Sequence, residues 1–311
     1  MSAQAFDLQG HRGARGLAPE NTLPGFARAL AIGVSTLELD VGVTADGVVV
    51  IAHDRRLNPD ITRGPDGRWL EPPTPTVRSL TWAELERYDV GRIRPGSEYA
   101  RRFPEQEGMD GVRMPRLADL FALVKRSGND VVRFNIETKL SPLAPEETLA
   151  PEPFALALLA VVREAGMESR VTVQSFDWRT LLAVQRLAPG IATSCLTAQQ
   201  RWMDNILASA AEPSPWLAGL ALAEHGSIPR LVKAAGCGTW SPYFGELDRA
   251  LVAEAHALGL KVLPWTVNDA AHIRAVLDLG VDGLITDRPD LARRVMAERG
   301  MALPAPAPSA P

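Results

Sequence analysis

Residues 6–41 read FDLQGHRGARGLAPENTLPGFARALAIGVSTLELDV, and this stretch contains the unit from which the rest of the chain is built. The short apolar run Phe6–Gln9 predicts a strand. Leu23, Phe26, Ala27 and Leu30 then recur at i, i+3, i+4 and i+7, one face of a helix. Asn21 or Thr22 caps that helix, and Pro24 falls in its opening turn, where a missing N–H does no harm. Thr36–Val41 predicts a second strand, on which Glu38 and Asp40 share one face and the aliphatic residues the other. A strand, a crossover helix and a strand in this order join parallel neighbours.

Outward from this unit the pattern repeats. Further strands are expected at Val131–Glu137, Val171–Ser175, Ile191–Leu196, Thr239–Ser241, Lys261–Thr266 and Gly283–Thr286. Leu251, Val252, Ala255 and Leu258 mark another amphipathic helix. Eight strand–helix pairs point to an α/β fold, a closed (β/α)8 TIM barrel, with an open doubly wound sheet as the alternative. In a barrel, chemistry gathers where strands end. His11, Asp40, Glu137, Ser175, Trp265 and Asn268 all fall at or just beyond expected strand ends. After His53, residues 55–114 form a connection far longer than the usual ~2–6 residues, with one short helix expected at Leu80–Tyr88. We read this insertion as a lid or substrate wall over the barrel mouth. Residues 1–302 are expected to form a single barrel domain, and 303–311, LPAPAPSAP, a disordered, extended tail.

With 46% hydrophobic and 23% charged residues, the chain has the composition of a soluble globular protein. A net charge of −4 gives no basic field, which argues against nucleic-acid binding and against membrane attraction driven by charge. No run of about 18 apolar residues is present to form an integral membrane segment. The start is ambiguous. As it stands the chain would be cytoplasmic, but Ala3-Gln4-Ala5 resembles the end of a cleaved secretory signal, and a signal removed before Phe6 would make the protein periplasmic or secreted. Cys195 and Cys237 lack CxxC spacing and nearby ligands and read as buried free thiols. His225, His256 and His272 lie away from strand ends, where structural or solvated roles are expected.

The ordered strings HRG (11–13), PENT (19–22), ELDV (38–41), TADG (44–47), HD (53–54), IETK (136–139), VQSF (173–176), PWTVN (264–268) and VDGLITDRP (281–289) span nearly the whole chain. In these the sequence resembles the glycerophosphodiester phosphodiesterases. The resemblance implies a barrel, one divalent cation, and hydrolysis of glycerophosphodiesters, the deacylated phospholipids, to sn-glycerol 3-phosphate and an alcohol. It assigns Glu38, Asp40 and Glu137 to the metal. Three carboxylates converging on one small volume also need a cation on physical grounds, and all-oxygen ligation favours Mg²⁺ or Ca²⁺, with Mn²⁺ a further hard ion. The alternative is a carboxylate set salt-bridged to Arg12 and Lys139.

His11 and His53 have ordinary pKa values near 6.5, so one can act as base while the other acts as acid. By resemblance, His11 activates the attacking oxygen and His53 protonates the departing alcohol. The attacker is either water or the substrate's own glycerol hydroxyl. Arg12 and Lys139 are expected to neutralise phosphoryl oxygens, and Trp265 either to form an apolar wall beside glycerol or simply to pack. Glu20 and Asn21 are expected to brace the first loop, Gln174 and Asn268 to stand behind the site, Asp54 to orient His53 or a nearby loop, and Asp287 to cap or pair at the last strand–helix turn. A lysophospholipase D-like activity on lipid-bearing diesters is the runner-up. A non-catalytic barrel that binds a phosphate ligand is the alternative outside the enzymes. Oligomeric state and leaving-group preference stay open at this level.

Overall fold

The computed structural model describes residues 5–209 and 212–307. Eight parallel strands run in chain order: β1 (Asp7–Gly10), β2 (Thr36–Val43), β3 (Arg133–Thr138), β4 (Val171–Ser175), β5 (Ala192–Thr197), β6 (Thr239–Pro242), β7 (Lys261–Val262) and β8 (Gly283–Thr286). Each is followed by a helix: α1 (Leu23–Ile32), α2 (Leu117–Arg126), α3 (Pro151–Glu164), α4 (Trp178–Leu187), α5 (Ile228–Ala234), α6 (Arg249–Ala257), α7 (Ala270–Leu279) and α8 (Pro289–Glu298). Neighbouring strands pair from β7 through to β2, and β1 lies between β2 and β8. Backbone bonds from Asp282 N to Val262 O (3.1 Å), Ile285 N to Pro264 O (2.9 Å) and Val267 N to Ile285 O (3.0 Å) tie β8 back to β7. The result is the expected TIM barrel. β7 is shorter than Lys261–Thr266 because Pro264 has no N–H to give to a ladder.

Closure explains why both faces of β2 are buried. Leu37, Leu39 and Val41 are fully covered, and Glu38 and Asp40, on the opposite face, are 1% and 0% exposed. Alternation sends the aliphatic set out to the helices and the carboxylates into the lumen. Below those acids the lumen is polar: Asn135 Nδ2 donates to Gln9 Oε1 (2.9 Å) and to Gln174 Oε1 (2.8 Å).

The insertion packs Leu57, Val77, Leu85, Val90 and Met114 into a small apolar cluster with Val50 and Ala52, which precede it. Its expected helix shrinks to Trp82–Leu85, capped by Thr81, and a second short helix forms at Glu98–Arg102. Two expectations are corrected. The tail is not free: Ala307 N donates to Leu30 O (2.9 Å), Ala307 is 8% exposed, and Arg293 Nη1 reaches the Pro304 carbonyl, so residues 303–307 lie bound against the barrel. Residues 308–311, and residues 1–4 of the signal-like start, fall outside the described residues. Cys195 and Cys237 are joined as a disulfide. β5 and β6 are adjacent, with Cys195 opposite Trp240, and the turn into β6 brings the two Cα atoms to 6.1 Å, within bonding range. Sequence spacing carries no trace of that proximity.

Candidate active site

The first loop shows how the sequence positions a site. His11 N donates to Thr286 O (2.8 Å), which extends the β1–β8 pairing by one residue. The chain then turns sharply. Arg12 has φ +51° and Gly13 φ +89°, and a Cβ on Gly13 would lie 2.7 Å from the Gly25 backbone. Only glycine fits there. A bulky residue in the left-handed region is strained, and Arg12 is held by its backbone N donating to Glu38 Oε2 (3.0 Å) and by Arg12 Nη1 at 2.6 Å from Glu20 Oε1. Thr22 caps α1, its hydroxyl accepting from Gly25 N. Asn21 instead donates from Nδ2 to Asp40 Oδ2 (2.9 Å).

Register places the acids. Asp40 lies directly beside Glu137 in the β2–β3 ladder, and Glu38 is two residues earlier on the same face. Ligand atoms from Glu38, Asp40 and Glu137 lie within 4.8 Å of one another, all buried. Burial, then the charges of Asp40 and Glu137, pushes the Glu38 carboxyl well above its usual range. Burial likewise pushes Glu137 up to about 7, with Lys139 opposing and Asp40 adding to the shift. Asp40 is held low in spite of burial by Lys139 and Arg12. Lys139 Nζ lies 2.6 Å from Glu137 Oε1 and 3.0 Å from Asp40 Oδ1, and Arg12 Nε lies 3.2 Å from Asp40 Oδ2. Both cations expected to face substrate are therefore also paired with the carboxylates. Among the described residues Lys139 Nζ is thus the one donor near Asp40 Oδ1, and it is shared with Glu137 and meets Asp40 outside good hydrogen-bond geometry. A buried all-oxygen triad that resists full ionisation is compatible with a divalent cation.

A hairpin returns His53 to the same place. β2 pairs antiparallel with Val49–Ile51 across the 44–47 turn, and Ala52 N donates to Asp40 O (3.0 Å). His53 Nδ1 is 2.9 Å from Asp54 Oδ1, as expected, and Asp54 also accepts from Asn58. His11 Nδ1 is 2.7 Å from Asp287 Oδ1, which leaves Nε2 facing Glu38 at 3.9 Å. What sequence reasoning does not find is the partner with which Asp287 pairs. Instead of capping a turn, Asp287 is buried behind His11, clamped by Arg15 Nε (2.6 Å) and Nη2 (3.0 Å) and bonded by Asn268 Nδ2 (2.6 Å). Arg15 was likewise not singled out. Burial, then Arg15, lowers the His11 pKa to about 4 in spite of Asp287. Burial, Arg12 and Lys139 lower that of His53. Gln174 Nε2 donates to Glu38 Oε1 (2.8 Å), in the supporting role expected of it.

These groups open into one cavity of about 1170 Å³ at the C-terminal end of the barrel. His11, Arg12, Glu38, His53, Glu137, Lys139 and Trp265 line it, and Asp40 lies just beneath. The insertion supplies Tyr99 and Arg102 to the wall, and the Tyr99 hydroxyl is bonded to Glu20. His256 pairs with Asp282, and His272 with Asp269, away from the cavity.

A barrel with paired imidazoles beside a buried acid triad at its rim defines a class of hydrolytic site. The chain belongs to the glycerophosphoryl diester phosphodiesterase family, whose model matches residues 11–291. A crystal structure of a Silicibacter pomeroyi protein assigned to that activity is similar at 39% identity and a TM-score of 0.86, over 96% of this chain and 95% of that one. The glycerophosphodiester phosphodiesterase of Caldanaerobacter subterraneus subsp. tengcongensis is 27% identical over 93% of this chain and 97% of its own. A phosphodiesterase of Oleispira antarctica, crystallised with sn-glycerol-3-phosphate, shares the fold at a TM-score of 0.67 and 23% identity, over 94% and 96% of the two chains. Among the described residues no helix is long and apolar enough to cross a membrane.

Proposed function

We propose that this protein hydrolyses glycerophosphodiesters to sn-glycerol 3-phosphate and an alcohol, using His11 and His53 as proton carriers and one hard divalent cation, Mg²⁺ or Ca²⁺ with Mn²⁺ as a substitute. The observation that carries this reading is that each imidazole is braced by its own carboxylate, Asp287 or Asp54, beside the triad Glu38, Asp40 and Glu137.

Glu38, Asp40 and Glu137 would hold the cation, which when bound would neutralise phosphoryl oxygens and ease attack at phosphorus. Asp287 takes the Nδ1 proton of His11 in a hydrogen bond, so Nε2 carries the lone pair that faces the site. Its lowered pKa keeps that lone pair free at neutral pH, which suits a general base. His53, held by Asp54, is the general acid. A bound phosphodiester places a negative charge beside it, which favours the protonated form and works against the lowering by burial. Lys139 and Arg12 keep Asp40 ionised and remain close enough to meet the phosphoryl group as its charge spreads. Arg15 fixes Asp287, and through it the orientation of His11.

Release of sn-glycerol 3-phosphate, followed with a coupled dehydrogenase over choline, ethanolamine, glycerol and inositol diesters, tests the reading. Turnover that chelator abolishes and a divalent cation restores is expected; no release from any of the four overturns it. Phosphorus NMR of the time course decides the attacker: a transient cyclic phosphate shows attack by the glycerol hydroxyl, and its absence under rapid quench shows attack by water.

A further inference from the structure

The cavity is divided by chain position. Every charged side chain that lines it precedes residue 150, while the lining from Gln174 to Ile285 contains no Asp, Glu, Lys, Arg or His. That second half is aromatic. Phe176 follows β4, Trp202 sits in the hairpin after β5, Tyr243 follows β6, and Trp265 follows β7. Trp265 is the hub, with ring centroids 5.4 Å from Phe176, 5.8 Å from Tyr243 and 5.9 Å from Trp202, and Trp202 is 5.5 Å from Tyr243. Ring planes meet at 86°, 63°, 81° and 83°, which makes a corner and not a stack. In a corner, more than one π face can look into the same space.

Two further facts restrict what this corner can hold. The Trp265 indole N–H is already given to Ser241 O (2.9 Å), and Asn268 is committed to Asp287, which leaves the hydrogen bonding on this side to uncharged groups such as the Tyr243 and Thr266 hydroxyls. Trp202 is 62% exposed, a large aromatic surface left in water at the mouth. Glycerol or inositol would bring several hydroxyls, and ethanolamine three N–H donors, to a wall that is mostly aromatic and offers no carboxylate to accept from them. A quaternary ammonium has no donor to satisfy. It is attracted to aromatic faces by charge alone, and no cation on this side repels it.

We propose that the aromatic half of the mouth is a subsite for a quaternary-ammonium leaving alcohol, which makes the protein selective for choline-type glycerophosphodiesters. This rests on the phosphodiesterase reading above and adds the identity of the alcohol to it. With the phosphate on the charged half, the ester substituent on the far side of phosphorus extends over Trp265 toward Trp202 and Tyr243.

The test compares kcat/KM for glycerophosphocholine, its uncharged 3,3-dimethylbutyl isostere, glycerophosphoethanolamine and glycerophosphoglycerol, all read as sn-glycerol 3-phosphate. The choline diester is expected to exceed its isostere by about tenfold, mainly through KM. Trp202→Leu and Tyr243→Leu should cut that ratio to about threefold or less, and Trp202→Phe should keep most of it. An isostere as good as the choline diester, while glycerophosphoglycerol is still hydrolysed, overturns the subsite and leaves the phosphodiesterase reading standing; it would mean that the wall selects apolar surface, as for an acyl chain. A charge preference that survives in both leucine variants also overturns it. Absence of hydrolysis of all four diesters overturns the phosphodiesterase reading itself, and the subsite falls with it.

Discussion

The two halves of the barrel mouth solve opposite problems. On one side β1, β2, β3 and β8 lead to His11, Glu38, Asp40, Glu137 and Asp287, buried ionisable groups that each need a partner in place. On the other, β4 to β7 lead to Phe176, Trp202, Tyr243 and Trp265, uncharged rings that pack against one another and need no counter-charge. The charged half is therefore a single network, in which Arg15, Asp287, His11, Glu38, Gln174 and Asn135 are linked by successive close contacts. Removing one member leaves a buried charge or donor unpaired, which is costly. The aromatic half can lose a ring and leave only a gap. Function that demands fixed geometry sits where the structure is least tolerant, and selectivity sits where it is most tolerant.

The sharpest way to break this contrast is at the histidines. His11→Ala and His53→Ala should each lower kcat by about 10²–10⁴-fold, the range for loss of a general acid or base, in steady-state assays of sn-glycerol 3-phosphate release. His53→Ala should still bind Mn²⁺ with unchanged affinity by electron paramagnetic resonance, since His53 lies outside the carboxylate triad. Wild-type turnover in either variant would remove it from the mechanism.

A smaller effect is expected at Asp287. Asp287→Asn leaves Arg15 and His11 without their buried carboxylate and should destabilise the fold by about 3 kcal/mol at pH 7, measured by urea unfolding. The sign of its pH dependence follows from its partners. Although burial raises the Asp287 pKa, Arg15 and His11 outweigh it and hold the value below the ordinary carboxylate range. The stabilisation is then fully present above the unfolded pKa near 3.9 and is lost as pH falls toward the folded one. The difference between wild type and Asp287→Asn should therefore narrow at about pH 3. A difference that does not change with pH would contradict the ionised clamp. The smallest effect belongs to the aromatic half: Trp202→Ala should change stability by no more than about 0.5 kcal/mol, and a larger loss would make Trp202 a brace of the rim.

Much of the charged half can be read in the sequence, because its geometry is local. Alternation within LELDV puts Glu38 and Asp40 on one face, and the strand-end rule finds His11 and Glu137. Asp287 is 276 residues from its partner His11, and in TDRP it looks like an ordinary cap. A usable signal exists all the same: in a closed barrel β1 and β8 are neighbours, Gly10 pairs with Thr286, and the residues that follow, His11 and Asp287, must meet. The aromatic corner is harder to find. Trp202 belongs to a two-residue-strand hairpin that carries no periodic pattern, and the rings it meets, Tyr243 and Trp265, come from two other loops. The disulfide and the bound tail were missed for the same reason: contacts between distant segments leave no spacing, and a proline-rich run reads as free until Arg293 and Leu30 are seen to hold it.

The central claim, that the charged half is completed by a hard cation on Glu38, Asp40 and Glu137, is tested most directly by the rate of glycerophosphocholine hydrolysis in chelator-treated protein before and after Mg²⁺ is returned. We predict loss of turnover on chelation and full recovery on addition in the wild type, with no recovery at the same concentration in Glu38→Ala. Undiminished hydrolysis after exhaustive chelation would contradict the account and leave Lys139 and Arg12 as the only counter-charges to the triad.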